Sequence, residues 1–242
     1  MASLYLSPDL PVDAAPGTIV HVTGDEARHA ITVARLRVGE NVAVGDGAGI
    51  ILHGKVTSTA GANLAIEVDH VIREESPRPE LWLAQALAKG DRDELAVQAA
   101  TELGVSGVIP WAAERSVSRW DGAKVAKGRE RWASIVREAS KQAIRGRVPQ
   151  VAELATTAQL ATLPGLVVVL EPTASIALTA LSIDDAARIT IVVGPEGGVS
   201  PRELEALQKS GATLVRLGSE VLRTSTAGPA ALAVLNARLG TW

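Results

Sequence analysis

The chain of 242 residues contains no cysteine, so disulfide frameworks, thiolate metal sites and cysteine nucleophiles are excluded. Phenylalanine is also absent and aromatic residues make up only 2% of the chain, which argues against an aromatic platform that stacks on single-stranded nucleic acid. The four histidines are His21, His29, His53 and His70, and they do not have the spacing of paired metal ligands. We therefore expect no histidine zinc site, no Ser-His-Asp triad in the rest of the chain and no bound metal.

Long hydrophobic segments are missing as well. Runs such as Leu166–Leu170 have the length of a buried strand and fall far short of a membrane span. The N-terminal residues show no basic stretch followed by an apolar one, so no secretion signal is predicted. Neither sign of charge dominates, since 24 lysines and arginines stand against 27 aspartates and glutamates. We predict a cytoplasmic protein without a membrane partner, and the total charge carries no signature of nucleic-acid binding.

The composition that remains is that of a packed globular protein, with 47% hydrophobic and 21% charged residues. Residues 1–74 read as a small β-barrel-like domain with one helix, Asp25–Arg37, whose apolar residues follow helical spacing. The charged segment Arg73–Pro79 contains two prolines and predicts an extended connector to a second domain, residues 75–242. Strands of the first domain are predicted at Ile19–Val22, Asn41–Val44, Ile50–Val56 and Leu64–Val68.

The second part alternates strands with helices, a pattern that predicts an α/β fold with a parallel sheet covered on both faces. The predicted strands are Leu81–Ala88, Gly107–Pro110, Leu166–Leu170, Ile189–Val193 and Thr213–Leu217. The predicted helices are Asp91–Leu103, Lys124–Arg145, Ser175–Leu181, Pro201–Ser210 and Pro229–Leu239.

Basic residues are concentrated in the middle of the chain. Residues 115–147 contain 10 basic and 3 acidic side chains. On the predicted helix Lys124–Arg145, the side chains of Arg137, Lys141 and Arg145 recur every four residues, which predicts one basic stripe facing water. Such a stripe is either a solubilising helix face or a contact surface for phosphates.

The loop Gly194–Gly198 (GPEGG) is the most informative segment. A predicted buried strand leads into it, and Ser200, Pro201 and Glu203 form the start of a capped helix after it. Three glycines let a ligand approach the backbone, and the carboxyl end of a parallel strand is where α/β sheets bind ligands. The motif matches neither of the two common phosphate-loop patterns. Taken alone, the loop has either a structural or a binding role.

Two further loops follow predicted strands. The irregular segment Gly218–Gly228 comes after one, and Glu171-Pro172 comes after another. If the three loops meet at one sheet edge, they build a cleft lined mostly by backbone N–H and C=O groups. Such a cleft suits an adenine edge and a ribose.

At this point the motifs resemble a known family. Residues 83–110, Arg115-Ser116, 137–151, 192–200 and 217–227 resemble the bacterial 16S ribosomal RNA uridine-N3 methyltransferases, the RsmE type of the SPOUT class. Residues 29–40 resemble the PUA-like RNA-binding domain of that family. The resemblance spans nearly the whole chain and keeps the family order.

The resemblance implies a C-terminal trefoil knot, against the general rule that chains avoid knots, and a homodimer with the last helix at its interface. It also implies that S-adenosylmethionine binds in the knot. The matching cofactor positions are Leu170, Glu171, Pro172, Gly194, Pro195, Glu196, Gly197, Gly198, Leu217, Gly218, Leu222, Arg223 and Thr224.

The implied activity is methylation of uridine N3 in 16S ribosomal RNA on the small ribosomal subunit. Arg223 is the candidate for stabilising the N3-deprotonated base, or else forms an ion pair or a helix-end contact. Glu196 accepts a proton or orients the loop. Two positions depart from the family pattern. Ser225 in RTSTA stands where the family commonly has an acidic residue, and Lys141 in KQA stands where it often has a glutamate. The resemblance therefore does not assign the proton acceptor.

RNA contacts are expected from basic residues in both parts of the chain, namely Arg28, Arg35, Arg37, Arg137, Lys141, Arg145 and Arg147. Because N3 of a paired uridine is hidden by base pairing, the target must be unpaired or flipped out. Three alternatives stay open: the same chemistry at another RNA site, an RNA-binding protein without catalysis, and a nucleotide-binding α/β enzyme that uses GPEGG for phosphate.

Overall fold

The computed structural model describes residues 4–183 and 186–242, which divide into two compact units. The first unit contains the described residues up to Ser76 together with Ser140–Val148, and the second contains Pro77–Ala139 and the described residues from Pro149 to Trp242. The chain therefore returns to the first unit once, for nine residues that lie outside the first domain predicted from the sequence, residues 1–74.

The first unit is built on a five-stranded sheet with the order β1-β3-β4-β5-β2. All pairs are antiparallel except β1 with β3. Side chains alternate between buried and exposed along β2, as expected for a sheet with one solvated face. The strands are β1 (Leu4–Leu6), β2 (Ile19–Thr23), β3 (Asn41–Gly45), β4 (Ile50–Ala60) and β5 (Asn63–Arg73).

The helix predicted over Asp25–Arg37 is wrong in extent. The structure has α1 (Gly24–Arg28) followed by a π-helical turn (His29–Val33), and Arg35 adopts a left-handed φ of 56°. The apolar spacing is that of a helix, but Ala27 and Ala30 are buried while Val33 is 69% exposed, so the apolar row is only partly covered. A helix without packing along its whole face has little reason to continue.

The returning segment Ser140–Val148 is bonded into the first unit. The Gly49 N–H donates to the Gly146 carbonyl at 3.0 Å, and the Val148 N–H donates to the Gly47 carbonyl at 2.9 Å. The Lys141 ammonium lies 3.2 Å from the Glu26 carboxylate. This segment is thus part of the first unit's structure.

The second unit is an entirely parallel seven-stranded sheet with the order β10-β12-β9-β11-β6-β7-β8. Its central strands are almost continuously buried, as the sequence predicts. The strands are β6 (Glu80–Ala86), β7 (Gly107–Trp111), β8 (Gln150–Val151), β9 (Leu166–Leu170), β10 (Ile176–Ala177), β11 (Arg188–Val193) and β12 (Thr213–Arg216).

Helices pack on both faces of this sheet. Leu160 and Leu207 join a core with Ala84 and Val192 on one face, whereas Gly228 of the last helix lies against Leu83, which points to the other face. The helices are α2 (Arg92–Glu102), α3 (Ala123–Gln142), α4 (Thr157–Leu160), α5 (Pro201–Lys209) and α6 (Thr224–Leu239), and a 3₁₀ turn spans Leu178–Ala180.

Three predicted helix boundaries in this unit are wrong. The segment 175–181 forms β10 and the 3₁₀ turn instead of a helix. The helix α3 ends at Gln142, before Arg145, and Ile144 has a left-handed φ of 54°. The helix α6 begins at Thr224, so Pro229 lies inside it. Proline is over-represented at the first helical position, but Pro229 is the sixth residue of α6, so as a start signal it placed the predicted boundary five residues late.

None of the helices in residues 4–183 and 186–242 combines the length and the hydropathy that crossing a membrane requires.

Candidate cofactor site

A cavity of about 370 Å³ opens at the carboxyl edge of the parallel sheet. The strands β12, β9 and β11 are neighbours in the sheet, so the loops that follow them meet at this edge. The cavity lies within the size range of small-molecule and cofactor sites. Its walls contain Arg92, Leu170, Glu171, Pro172, Val193, Gly194, Pro195, Glu196, Gly198, Val199, Val215, Arg216, Leu217, Gly218, Glu220, Val221, Leu222, Arg223, Thr224 and Ala227.

The GPEGG loop is fixed by two of its glycines and by the helix after it. Gly198 has a φ of 72° and its N–H donates to the Pro195 carbonyl at 2.9 Å, which closes a turn. A Cβ atom on Gly194 would lie 2.7 Å from Cγ2 of Val199, so a side chain there would displace the loop. The predicted capping box is present, with the Ser200 hydroxyl accepting from the Glu203 N–H.

A buried relay ties the start of this loop to α6. The side-chain amide of Gln85 donates to the Thr224 hydroxyl at 2.8 Å, and that hydroxyl donates to the Gly194 carbonyl at 2.9 Å. Gln85 is completely buried, and its Oε1 atom has no hydrogen-bond partner among the described residues. The arrangement fixes the direction of the Gly194 carbonyl at the cavity wall.

Arg115 supports the same loop from another side. Its guanidinium donates to the Gly197 carbonyl at 3.1 Å. Gly197 is the one predicted cofactor residue that does not line the cavity, and it faces Arg115 instead. Arg115 of the Arg115-Ser116 pair therefore stabilises the conformation of the loop.

Glu196 forms an ion pair with Arg92. The two side chains approach to 3.1 Å, and the Lys89 N–H donates to the same carboxylate oxygen at 3.4 Å. Burial acts to raise the pKa of Glu196, but its own backbone N–H, the Arg92 guanidinium and the Lys89 N–H together hold that pKa below its usual value. A carboxylate that is stabilised in its charged form is a weaker base. Of the two roles expected for Glu196, the geometry favours orienting the loop.

The structure brings the other predicted cofactor residues together on the cavity wall, Arg223 among them as the exposed N-cap residue of α6. Sequence reasoning missed Arg92, Arg216 and Gln85. Arg92 stands in the family-like segment 83–110, but only the pairing of β6 with β11 brings it to Glu196. Arg216 is held by the carbonyls of Ala174 and Ser175.

The predicted RNA-contact residues differ in exposure. Arg28, Arg35 and Arg37 are exposed, and Arg28 pairs with Asp25 at 3.0 Å. The stripe predicted on the long helix is wrong, because Arg145 lies beyond the helix and Lys141 is paired with Glu26.

Arg145 and Arg147, which follow that helix, are half-buried. Burial lowers the pKa of Arg145, which the nearby Glu74 acts to raise. Arg147 donates to the Glu74 carbonyl at 2.6 Å. Arg137 is half-buried. The basic run in the sequence is thus partly used for packing within the protein.

Among the residues described, no group of three or more side chains has the composition of a metal site. The fold and the cavity together define an α/β protein that binds a small ligand at the carboxyl edge of a parallel sheet, joined to a small β-sheet unit.

Comparison with known proteins identifies the family. Residues 74–236 match the RNA methyltransferase domain and residues 22–68 match the RNA methyltransferase PUA domain. The chain belongs to this family of RNA methyltransferases.

Two curated relatives illustrate the likeness. The ribosomal RNA small subunit methyltransferase E of Mycobacterium bovis is 39% identical over 240 residues, which cover 96% of this chain and 92% of that protein. The protein of the same name from Bacillus subtilis is 31% identical over a region that covers 89% of this chain and 88% of that protein.

A solved structure extends the comparison to the fold. The ribosomal RNA small subunit methyltransferase E from Neisseria gonorrhoeae bound to S-adenosyl methionine superimposes with a TM-score of 0.87, at 28% identity, over 98% of both chains. The predicted family, the α/β fold with a PUA-like domain and the rRNA methyltransferase class are confirmed. The trefoil knot stays a prediction.

Proposed function

We propose that this protein transfers a methyl group from S-adenosylmethionine to N3 of an unpaired uridine in 16S ribosomal RNA of the small subunit, in the cytoplasm and as a homodimer. The observation that carries the proposal is the cavity formed by three strand-end loops, in a chain whose relative of the same fold was solved with S-adenosyl methionine. The names of the curated relatives support the small-subunit substrate.

The residues of the cavity suit this cofactor. The wall combines three arginines with three glutamates, Arg92, Arg216, Arg223, Glu171, Glu196 and Glu220, and the cofactor carries both signs of charge. Gly194, Gly198 and Gly218 leave bare backbone on the wall, where N–H and C=O groups can pair with an adenine edge. Leu170, Leu217 and Leu222 add apolar surface. The Glu171 carboxylate accepts from the Thr173 N–H at 3.1 Å, which fixes it at the end of β9.

When bound, S-adenosylmethionine supplies an electrophilic methyl group, so transfer breaks the sulfur–methyl bond, forms the N3–methyl bond and releases the N3 proton. The loop braced by Arg92, Arg115 and Thr224 holds this reaction geometry rigid. Arg223 stabilises the negative charge of the deprotonated base, whose charge spreads to the flanking carbonyls. Glu196, already paired with Arg92, orients the loop, and the proton leaves to another group or to water.

The homodimer is supported by exposed apolar side chains on the loop after β12. Val221 is 77% exposed and Leu222 is 38% exposed. Both residues also line the cofactor cavity, so a second copy of the chain that covers this loop would cover part of the cavity wall as well. Light scattering on the purified protein tests this part of the proposal, because a monomer at micromolar concentration would contradict it.

Calorimetric titration with S-adenosylmethionine tests the cofactor, with ATP and NAD as comparison ligands. We expect selective binding that falls more than tenfold in Gly194→Val, because the new side chain displaces the loop from Val199. The matched control is Ala206→Val on the exposed face of α5, where binding is unchanged. Mass mapping of unmethylated small ribosomal subunits after incubation then locates the modified uridine.

Other outcomes select the alternatives. Binding that requires ribosomal subunits means that RNA orders the site. Absence of binding with and without subunits would leave an RNA-binding protein without catalysis, and preference for ATP would favour a nucleotide-binding enzyme. Methylation at a different nucleotide would keep the chemistry and change the substrate.

A further inference from the structure

A second cavity, of about 380 Å³, lies in the same unit as the first. The segment that follows β6 contributes to both, since Arg92 lines the first cavity whereas Lys89, Gly90 and Asp91 line the second. The Lys89 N–H also donates to Glu196 of the first cavity. The other residues of the second wall are Ala88, Asp93, Glu94, Val117, Ser118, Trp120, Gly128, Arg131 and Trp132.

Trp120 is a fixed aromatic surface in this cavity. Its ring meets the buried Trp132 edge to face, with centroids 5.4 Å apart and an interplanar angle of 78°. A Cβ atom on Gly128 would overlap the Trp120 indole, so this glycine lets the ring lie directly on α3. The indole is half-buried and cannot easily move away. A held ring of this kind is suited to stacking against another flat ring.

Most of the charges in the wall are already satisfied within the protein. Glu94 binds Arg131 through contacts of 2.9 and 3.0 Å. Asp93 is buried and accepts from the N–H groups of Ala88 and Glu94, at 3.2 and 2.9 Å. Asp91 and Lys89 differ from these, because both are exposed. They offer one acceptor and one donor of opposite charge.

Asp91 is at the N-cap position of α2 but does not cap it. An aspartate at this position normally accepts a hydrogen bond from the first turn, yet the Asp91 side chain forms no capping bond. Its φ of 58° is left-handed, a conformation that aspartate and asparagine adopt more readily than most other residues with a side chain. Asp91 lines the cavity, where its carboxylate can accept from a ligand.

We propose that the second cavity binds the base of an unpaired nucleotide next to the methylated one, stacked on Trp120 and with its exocyclic amino group donating to Asp91. Lys89 contacts the phosphate of that nucleotide. The inference rests on the proposed function and adds a second RNA subsite to it. Adenine, cytosine and guanine carry such an amino group and uracil does not, so the subsite discriminates against uridine.

The test measures methyl transfer to unmethylated small ribosomal subunits. Replacing Trp120 with leucine removes the stacking surface, so we expect the KM for subunits to rise about ten- to a hundredfold, with kcat and the Kd of S-adenosylmethionine unchanged. Trp120→Phe keeps a ring and retains most of the affinity. Trp242→Leu, at a residue that is 67% exposed and lines neither cavity, is the matched control and leaves KM unchanged.

Asp91→Asn tests the polar contact without disturbing Trp120. Asparagine tolerates the left-handed conformation well, so the fold is preserved. Titration with pentaadenylate and pentauridylate, followed by tryptophan fluorescence, should show stronger binding of pentaadenylate to the wild type. Asp91→Asn should reduce that preference severalfold.

An unchanged KM in Trp120→Leu would overturn the subsite, provided that its thermal unfolding matches the wild type. If that variant is unstable, an unchanged base preference in Asp91→Asn overturns the subsite instead. Failure of the wild type to transfer methyl is a failure of the proposed function instead, and the oligonucleotide titration still tests the subsite.

Discussion

Glu196 is the residue at which sequence and structure differ most in chemical meaning. The sequence offers a carboxylate in a ligand loop, which suggests a base, whereas the structure pairs it with Arg92 at 3.1 Å. Its role depends on a neighbour 104 residues away in the chain. A carboxylate that could act as a base on its own becomes a weaker base when an ion-pair partner stabilises its charged form.

The lowered pKa of Glu196 predicts a specific pH dependence. A carboxylate whose pKa is lower in the folded than in the unfolded protein stabilises the fold above its usual pKa, about 4.3, and loses that effect as the pH falls. We expect Glu196→Gln to unfold more easily than the wild type at pH 7, by about 0.2–1 kcal/mol, because the pair is partly exposed. The difference should disappear between about pH 5 and pH 3.

Thermal unfolding across this pH range provides the measurement. The control is Glu102→Gln, at an exposed carboxylate that accepts from the Gln98 amide. A difference between Glu196→Gln and the wild type that persists unchanged at pH 3 would show that the ion pair is not its source.

At the scale of elements, the fit of α6 against the sheet depends on one small residue. Gly228 lies against β6, and a Cβ atom there would be 2.9 Å from Cδ1 of Leu83. The helix begins five residues before Pro229 and carries Thr224 in its first turn, so its position also sets the Gln85 relay. Packing of this helix and the shape of the cofactor loop are therefore linked.

We predict that Gly228→Val destabilises the protein by about 1–3 kcal/mol through overpacking against Leu83. Denaturant unfolding measures the free energy, and calorimetry with S-adenosylmethionine should show weaker binding through displacement of Thr224. Ala237→Val, on the exposed side of the same helix, carries only the helix-propensity cost of about 0.6 kcal/mol. Equal effects of the two substitutions would contradict the packing argument.

Element prediction succeeded where burial is uniform. The strands β9 and β11 coincide closely with apolar runs in the sequence because a parallel sheet buries both faces. It failed at Asp25–Arg37 and at 175–181, where the apolar spacing is short and tertiary contacts decide the backbone. The two-residue strands β8 and β10 have too few residues to produce a period.

At the scale of the whole molecule, the segment Ser140–Val148 contributes to the first unit although it lies far along the chain. Lys141 and Glu26 form an ion pair there, with side chains that are 12% and 16% exposed. An RNA-binding lysine would instead be open to solvent. If Lys141 stabilises the fold, replacing it lowers the stability of the protein. If it contacts an RNA phosphate instead, replacing it weakens RNA binding and leaves the stability unchanged.

We expect Lys141→Met to destabilise the protein by about 3 kcal/mol, because it leaves the Glu26 carboxylate enclosed with one partner fewer. Thermal or denaturant unfolding measures this change. Arg37→Met, at an exposed residue, should leave stability within about 0.5 kcal/mol. If Arg37 contacts RNA, the same variant lowers the salt dependence of RNA binding by about one unit of slope. An unchanged stability in Lys141→Met would return Lys141 to the candidates for RNA contact.

The sequence by itself determined the class of fold, the family and the set of loops that carry the ligand site. Apolar periodicity and glycine-rich strand ends are local properties, so the sequence alone is enough to predict that GPEGG and the loop Gly218–Gly228 form a binding site. Only the tertiary structure decided which partners these residues have. Strand order and the packing of α6 bring Arg92 to Glu196 and Gln85 to Thr224. The return of Ser140–Val148 to the first unit partly buries Lys141, Arg145 and Arg147, which the sequence pattern places on a surface. Ion pairing and burial depend on distances in space, and sequence separation does not encode them.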